Sequence, residues 1–304
     1  MSDAPDRVAP DYPLARLTTV RTGGAADWFA RPRSEHELLE LLAWAGEEGL
    51  ALGVIGSGSN LLVADDGFHG LALKLDGDLA TIELDGERVV CGGGARLPSV
   101  SAKAASWGLA GIEFGVNIPG TAGGAVKMNA NAYGGQLGEV LEWVEVCSEA
   151  GRVRRRPEQL GFAYRSSNLS PGEVVSRAAF LLHKDDSAAI KARMGEMRGK
   201  RREAQPSGVK TFGSTFKNPD DAAAGGRSAG QLLEASGCRG LRHGGALFSE
   251  KHANFVENAG DATTADVLEL MSIGRRRVFE SCGVVLEPEV QVLGNVRWPE
   301  SWDL

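Results

Sequence analysis

A chain of 304 residues with 42% hydrophobic and 24% charged residues has the balance of a soluble globular protein with room for two domains, and it excludes the disordered classes. Its formal net charge of −7 argues against a general nucleic-acid binder and offers an anionic ligand no long-range attraction, so such a ligand would need local donors. The opening MSDAPDRVAPDYPLARL lacks an apolar stretch of signal-peptide length and no run is long enough to span a bilayer, so a cytoplasmic protein without membrane insertion is the expectation.

In chain order, Ser34 and Glu37 form a capping pair ahead of HELLELLAWAGEEG, whose leucines repeat at helical spacing up to Gly49. A short buried strand, 51–55, runs into GSGSNLLV (56–63), and a second apolar strand is expected at 71–75. A dinucleotide fingerprint of the Rossmann kind fails here, because Leu61 stands at the third glycine position and no helix is expected to begin there. What remains is a loop of backbone donors with Ser57, Ser59 and Asn60, suited to a pyrophosphate. Residues 81–91 read as strand, then GGG (92–94), then a helix from Leu97 to Trp107 that stops at Gly108.

The segment GIEFGVNIPGTAGGAVKMNANAYGG (111–135) carries seven glycines, one proline and three asparagines. With only small side chains between them, its backbone can approach a ligand closely; clustered N–H groups suit a phosphate or a flat ring system, and a glycine-rich surface loop is the plainer alternative. Strands are expected at 140–147 and 174–183, flanking GFAYRSSNL, where Arg165 is either a surface ion-pair residue or a bidentate carboxylate binder. The basic run KARMGEMRGKRR (191–202) carries Ile190, Met194 and Met197 at helical spacing and reads as the solvated side of an amphipathic helix, without the aromatics that stack nucleic-acid bases.

Composition changes near Gln205-Pro206, an expected domain boundary. Beyond it, Ser214 in TFGSTFKNP lacks a nucleophile elbow and by itself reads as a turn serine. A helix is expected over 229–236, His252 in EKHANFVEN reads equally as structural histidine or ligand contact, and Thr263 with Asp266 opens a long helix with Val267, Leu270, Met271 and Val278 on one face. The closing GVVLEPEVQVLG reads as a strand with Glu287 and Glu289 on one side. Cys91, Cys147, Cys238 and Cys282 lie far apart without metal or redox spacing, so they read as reduced and mostly buried, and no metal site is expected.

Together PLARLTTVRTGGAADWF, GSGSNLLVADDGFHG, GLAGIEFGVNIPGTAGGAVKMNANAYGG, YRSS, GSTFKNP, AGQLLEASG, SEKHANFVEN and LEPEV, in this order along nearly the whole chain, resemble the MurB family of UDP-N-acetylenolpyruvoylglucosamine reductases. The resemblance implies an α+β fold: an FAD-binding module of the PCMH (vanillyl-alcohol-oxidase) type in two lobes, followed by an α+β substrate domain. It places the module at 14–185, with lobes of about 14–78 and 79–185, the substrate domain at 204–290 and a tail at 291–304. It further implies that NADPH reduces FAD and that the flavin then reduces the enolpyruvyl group of a UDP-sugar to UDP-N-acetylmuramate for peptidoglycan. By similarity Gly56, Ser57, Gly58, Ser59, Asn60 and Leu61 would hold the pyrophosphate, while Ile118, Pro119, Gly120, Thr121, Gly123, Gly124, Ala125 and Asn129 would line the cofactor.

The family's catalytic trio maps onto Arg165, Ser214 and Glu289, with Ser214 as proton donor and the other two beside the substrate carboxylate; Asn218 and His252 fall at substrate-contacting positions. Only 48 residues separate Arg165 from Ser214, as in the shorter, second type of the family, which lacks an inserted tyrosine loop; cations of the 191–202 run or Arg242 are then candidates for the substrate diphosphate. Asn117 and Asn131 stand where the family has glycine, and Ala122 where it has valine; asparagine tolerates left-handed backbone, so both turns are expected to survive. The rival readings are an FAD oxidase of the same fold and a flavin-binding protein without catalysis. Oligomeric state is not set by the sequence.

Overall fold

A computed structural model of the chain describes Pro5 and residues 7–303. They fall into two compact units: one holds the residues up to Pro10, Trp28–Ser57 and His69–Arg201, the other Asp11–Asp27, Gly58–Phe68 and Arg202–Leu304. Among the described residues no helix is long and apolar enough to cross a membrane, and no group of three metal-ligating side chains gathers.

The first unit contains helices α1 (Glu35–Glu47), α2 (Leu97–Ser106), α3 (Ala122–Lys127), α4 (Leu137–Val140) and α5 (Ser187–Ala204). The capping pair before α1 is half realised: Ser34 Oγ accepts from Glu37 N at 3.2 Å, while Glu37 accepts from Arg33 N at 2.8 Å. Leu38, Leu41, Leu42 and Ala45 of α1 are buried against Ala30, Leu71 and Leu73 of a sheet ordered Val8–Pro13, Ala25–Ala30, Phe68–Leu73, Ala51–Val54. Its last two strands are parallel, Ala51 opposite Gly70 and Val54 opposite Leu73. The second apolar strand therefore occupies 68–73 and not 71–75; its parallel ladder with 51–54 runs from Gly70 and ends at Leu73.

A five-stranded antiparallel sheet follows, ordered Gly151–Arg155, Leu141–Ser148, Val174–Leu181, Arg88–Gly92, Ile82–Asp85. The stretch 81–91 is thus a hairpin and not one strand, turning at Gly86 with φ 62°. Val100 and Ala104 of α2 and Ala122, Ala125 and Val126 of α3 close its core with Val144, Ala178 and Phe180. On α5, Ile190 and Met194 are buried and Met197 packs beside them, as the helical spacing required.

In the second unit, a sheet ordered Thr211–Ser214, Phe255–Asn258, Ala246–Phe248, Arg242–His243 is covered by α6 (Ala229–Ala235) and α7 (Thr264–Cys282). Thr263 and Asp266 make both bonds of a capping box, and Val267, Leu270, Met271 and Val278 are each 0% exposed, worth about 1.5–3 kcal/mol apiece relative to solvent. The closing strand is shorter than expected. It spans Gln291–Leu293, whereas Glu287 and Glu289 lie outside it on either side of Pro288, which makes an isolated bridge to Phe216.

That strand pairs in parallel with Leu61–Val63, a strand not anticipated inside the glycine loop's tail. The segment expected as a tail is packed as well: Trp298 and Trp302 meet at 4.3 Å between centroids and Arg275 lies 4.7 Å over the Trp302 ring. The four cysteines are free thiols, three of them buried, and burial pushes Cys91 up to about 12.

Candidate active site

Within the first unit the two glycine-rich segments meet. The strand Ala51–Val54 delivers the chain to Gly56, and Ile55 N still bonds Leu73 O at 2.8 Å. Thr121 caps α3, its Oγ1 accepting from Gly124 N at 3.4 Å, and its backbone bridges Arg96. A Cβ on Gly56 would lie 2.6 Å from Thr121 Oγ1, so only glycine allows this approach. Gly120 and Gly124 have open faces: an added Cβ would meet nothing nearer than 3.8 and 3.5 Å. Gly123 is pinned, its N–H bonding Gly93 O at 2.8 Å, and Ala125 is only 3% exposed in the core. Ile118 and Pro119 lead into Gly120, with Ile118 N bonding Gly115 O at 3.1 Å.

The donor set fits a dinucleotide. Among the described residues the N–H groups of Gly56 and Ser57, and of Gly120 and Thr121, donate to no protein acceptor. Unpaired backbone donors beside open glycine faces suit a phosphate and a planar ring.

Arg165 sits at the third position of the tight turn Ala163–Ser166, closed by two backbone bonds of 3.2 Å. Its φ of 55° is left-handed, a conformation that costs a non-glycine residue about 1–3 kcal/mol and collects at functional sites. Asn129 braces this turn. It is 1% exposed and itself left-handed (φ 39°), donating to Ala163 O at 3.2 Å and accepting from Gly138 N at 3.1 Å. Arg165 Nη1 donates to Asn131 O at 3.2 Å, and its guanidinium lies 5.5 Å from the Tyr164 ring centroid. The side chain of Asn129 is thereby committed to positioning Arg165's turn.

The asparagines in glycine positions work differently from the expectation. Neither Asn117 nor Asn131 is left-handed; Tyr133 is, with φ 52°. Asn117 is 8% exposed and its amide donates to Tyr133 Oη at 3.0 Å and Met197 O at 2.7 Å, tying α5 to the glycine-rich segment. From the basic run, Arg201 donates to Asn117 O, and Arg193 is held by Glu113 and Asp185 at 2.7 Å each. Those two cations are spoken for, while Arg242 is exposed on its short strand in the other unit.

Within the second unit, Ser214 and Glu289 stand on adjoining backbone. Glu289 N bonds Thr215 O at 2.9 Å, Phe216 bridges Pro288, and Lys217 N bonds Glu287 O at 2.9 Å. Asn60 joins them: its Nδ2 donates to Glu289 O at 3.1 Å and its carbonyl accepts from Gln291 N at 3.1 Å. The N–H groups of Gly58, Ser59 and Asn60 donate to nothing among the described residues, whereas Leu61 already belongs to a strand. Gly213, with φ 84°, would place a Cβ 3.5 Å from Ser59 O. The Ser214 hydroxyl has no partner among the described residues, a free donor next to a carboxylate-bearing segment.

Asn218 and His252 have structural work. Asn218 Oδ1 accepts from Ala229 N at 3.1 Å, capping the start of α6; His252 Nδ1 accepts from Asn254 N at 3.2 Å and its ring meets Phe255 edge-on at 4.9 Å. Burial holds the His252 imidazole below its ordinary value.

Three positioning residues escaped the sequence reading. Asn254, 4% exposed, accepts from Phe216 N at 2.9 Å and donates to Phe216 O at 2.8 Å, gripping the backbone just after Ser214. Thr19 joins Gly58 to the Ser214 strand, its N bonding Gly58 O at 3.0 Å and its Oγ1 bonding Thr211 O at 2.6 Å. Asp65 receives Thr264 N at 2.8 Å and Ala265 N at 2.9 Å, adding a second cap to α7. All three lie in quoted motifs; only Asn254 is a buried polar residue among apolar neighbours, whereas Thr19 and Asp65 are exposed and carry no such signal.

Comparison with known proteins places these motifs. An FAD binding domain family matches residues 26–156, and the C-terminal domain of UDP-N-acetylenolpyruvoylglucosamine reductase matches residues 205–293. The chain is 43% identical, over 97% of its length and 94% of the relative's, to UDP-N-acetylenolpyruvoylglucosamine reductase 2 of Symbiobacterium thermophilum. It is 44% identical to the reductase of Rubrobacter xylanophilus, covering 94% of this chain and 95% of that one. The crystal structure of the MurB reductase from Thermus caldophilus superposes with a TM-score of 0.80 at 37% identity, covering 96% of this chain and 98% of that one. The α+β fold, with an FAD-binding domain ahead of a reductase C-terminal domain, is thus the one the motifs implied, and the chain belongs to the UDP-N-acetylenolpyruvoylglucosamine reductase family.

Proposed function

We infer that this protein is an NADPH-dependent FAD enzyme that reduces UDP-N-acetylenolpyruvoylglucosamine to UDP-N-acetylmuramate in peptidoglycan precursor synthesis. The observation that carries the reading is near-full-length similarity to reductases of that name together with a bare run of backbone donors suited to a dinucleotide. The chemistry bound FAD supplies is the relay of a hydride from NADPH to C3 of the enolpyruvyl group.

The chain's own residues supply the rest. Hydride addition to an enol ether conjugated with a carboxylate builds negative charge on that carboxylate, so a preplaced cation or acid lowers the barrier. We assign that task to Arg165 and Glu289; a planar guanidinium on a braced turn meets a carboxylate through two parallel bonds. Ser214 is assigned the proton delivered to C2, its hydroxyl being uncommitted among the described residues.

Gly56 to Asn60 hold the pyrophosphate through N–H groups, with Leu61 setting the loop's exit, and 118–125 line the ring; Asn129 takes part by bracing Arg165. Asn218 and His252 reach substrate through Nδ2 and Nε2, the atoms their internal bonds leave open. We assign 14–185 to flavin binding in lobes of about 14–78 and 79–185, 204–290 to substrate, and 291–304 to the terminal pairing with Leu61–Val63. The substrate is a small UDP-sugar, with neither nucleic acid nor membrane as partner, and the site of action is the cytoplasm.

The oxidase and scaffold readings have no observation in their favour. The test is anaerobic: NADPH reduces the flavin, the enolpyruvyl substrate is added, and the flavin absorbance is followed. Prompt return of the oxidised spectrum with UDP-N-acetylmuramate as product is the expected result; a flavin that stays reduced until air enters refutes the assignment.

A further inference from the structure

Lys74, just past the strand Phe68–Leu73, donates its ammonium to the carbonyl oxygen of Gly56. The side chain is part-buried, and neither Lys74 nor its neighbours Arg31 and Arg96 forms an ion pair among the described residues. Burial, then the charge of Arg31 and further on that of Arg96, hold the ammonium below its ordinary pKa, with Asp76 offsetting part. Arg96 is anchored beside the same turn, since its backbone bridges Thr121, the residue that Gly56 approaches most closely. Lys74 therefore reaches the junction of the two glycine-rich segments within one unit, with the charges of Arg31 and Arg96 close enough to act on it.

The peptide geometry gives the bond to Gly56 a direction. No peptide bond among the described residues is cis, so the carbonyl of Gly56 and the N–H of Ser57 lie in one plane and point in opposite directions. Drawing the carbonyl toward Lys74 turns the Ser57 N–H away from it, and that N–H donates to nothing among the described residues. A neutral side chain at 74 would leave this plane free to rotate.

We propose that Lys74 is a positioning residue for the pyrophosphate of a dinucleotide: by holding the Gly56 carbonyl it sets Ser57 N–H as an anion donor, and with Arg31 and Arg96 it supplies local positive charge in a chain of net charge −7. This rests on the flavin reading above. Arg31 and Arg96 are exposed and act by charge alone; Lys74 acts by charge and by orientation.

The test strips the flavin from the purified protein and titrates the apoprotein with FAD and with riboflavin, which keeps the ring system and lacks both phosphates. Lys74→Met is expected to weaken FAD about 10- to 100-fold, the scale of one hydrogen bond involving a charged group, with riboflavin affinity unchanged. Lys74→Arg should recover most of the loss, and FAD binding should depend less on salt in Lys74→Met than in wild type. Should Lys74→Met fail to fold, Arg96→Gln carries the test, with a severalfold loss for FAD alone. FAD affinity in Lys74→Met within about twofold of wild type overturns the proposal, as does an equal loss for FAD and riboflavin. Wild-type protein that binds no FAD overturns the flavin reading itself.

Discussion

Replacing Asn254 with alanine should destabilise the protein more than its size suggests. The amide spans Phe216 on both sides, accepting from its N–H at 2.9 Å and donating to its carbonyl at 2.8 Å, and Phe216 is 0% exposed. Truncation leaves two buried backbone groups without partners, at about 1–3 kcal/mol each, so a loss of about 2–6 kcal/mol is expected. Against a typical total of about 5–15 kcal/mol this is a large fraction. Urea denaturation at fixed FAD, followed by tryptophan fluorescence, should show the midpoint falling by about 1 M or more. Asn254→Asp should fall between, because a carboxylate still accepts from Phe216 N but cannot donate to its carbonyl. A midpoint shift of less than about 0.3 M for Asn254→Ala would refute the view that this side chain holds the backbone after Ser214.

Ser214→Ala should leave flavin reduction by NADPH intact and slow reoxidation by substrate about 10²-fold or more, as losing a general acid does; equal slowing of both halves in stopped-flow traces would remove Ser214 from that role. Arg165→Lys should likewise fail in reoxidation, since an ammonium cannot reproduce two parallel bonds, and a wild-type rate there would make Arg165 structural. Gly58→Ala should fold poorly or melt well below wild type, because the added Cβ would lie 2.0 Å from Leu17 O at a φ of 63°; an unchanged melting temperature counts against that geometry. Burial depresses the His252 pKa from 6.5, so the imidazole's contribution to stability is full above that value and is lost as pH falls through the lower folded one. The melting temperature should therefore decline less steeply from pH 7 to 5 in His252→Gln, and parallel declines would contradict it.

Helices with periodic apolar faces and caps could be read directly: Ser34 before α1 and the Thr263–Asp266 box before α7 are local chemistry, visible at four residues' range. Strand limits were less legible, since pairing sets them and pairing is non-local. Leu61–Val63 reads as the end of a loop until Gln291–Leu293 lies beside it, and LEPEV reads as strand although its only strand pairing among the described residues is the single bridge of Pro288 to Phe216. For the proposed site, the family resemblance pointed to Arg165, Ser214 and Glu289, but the residues bonded to their surroundings, Asn129, Asn254 and Asn60, act by bonds to backbone far away in the chain. Nothing in local sequence states such a bond. Asn117 makes the same point, because its value lies in a buried amide reaching Met197 and not in tolerance of a left-handed turn.

The second unit draws on Asp11–Asp27, Gly58–Phe68 and Arg202–Leu304, and its parallel ladder pairs Leu61 with Gln291. On a ribosome the early strand would emerge long before its partner exists, so this unit cannot close until residues 291–293 have been made. Its assembly must wait for the last segment and bear the entropy of a long loop, which makes it the slow step in maturation. A fragment cut at the domain-family limits, 205–293, would carry α6, α7 and their sheet but none of the early pieces that line it. Such a fragment should aggregate, whereas the same fragment mixed with the preceding residues as a second chain should recover a folded complex.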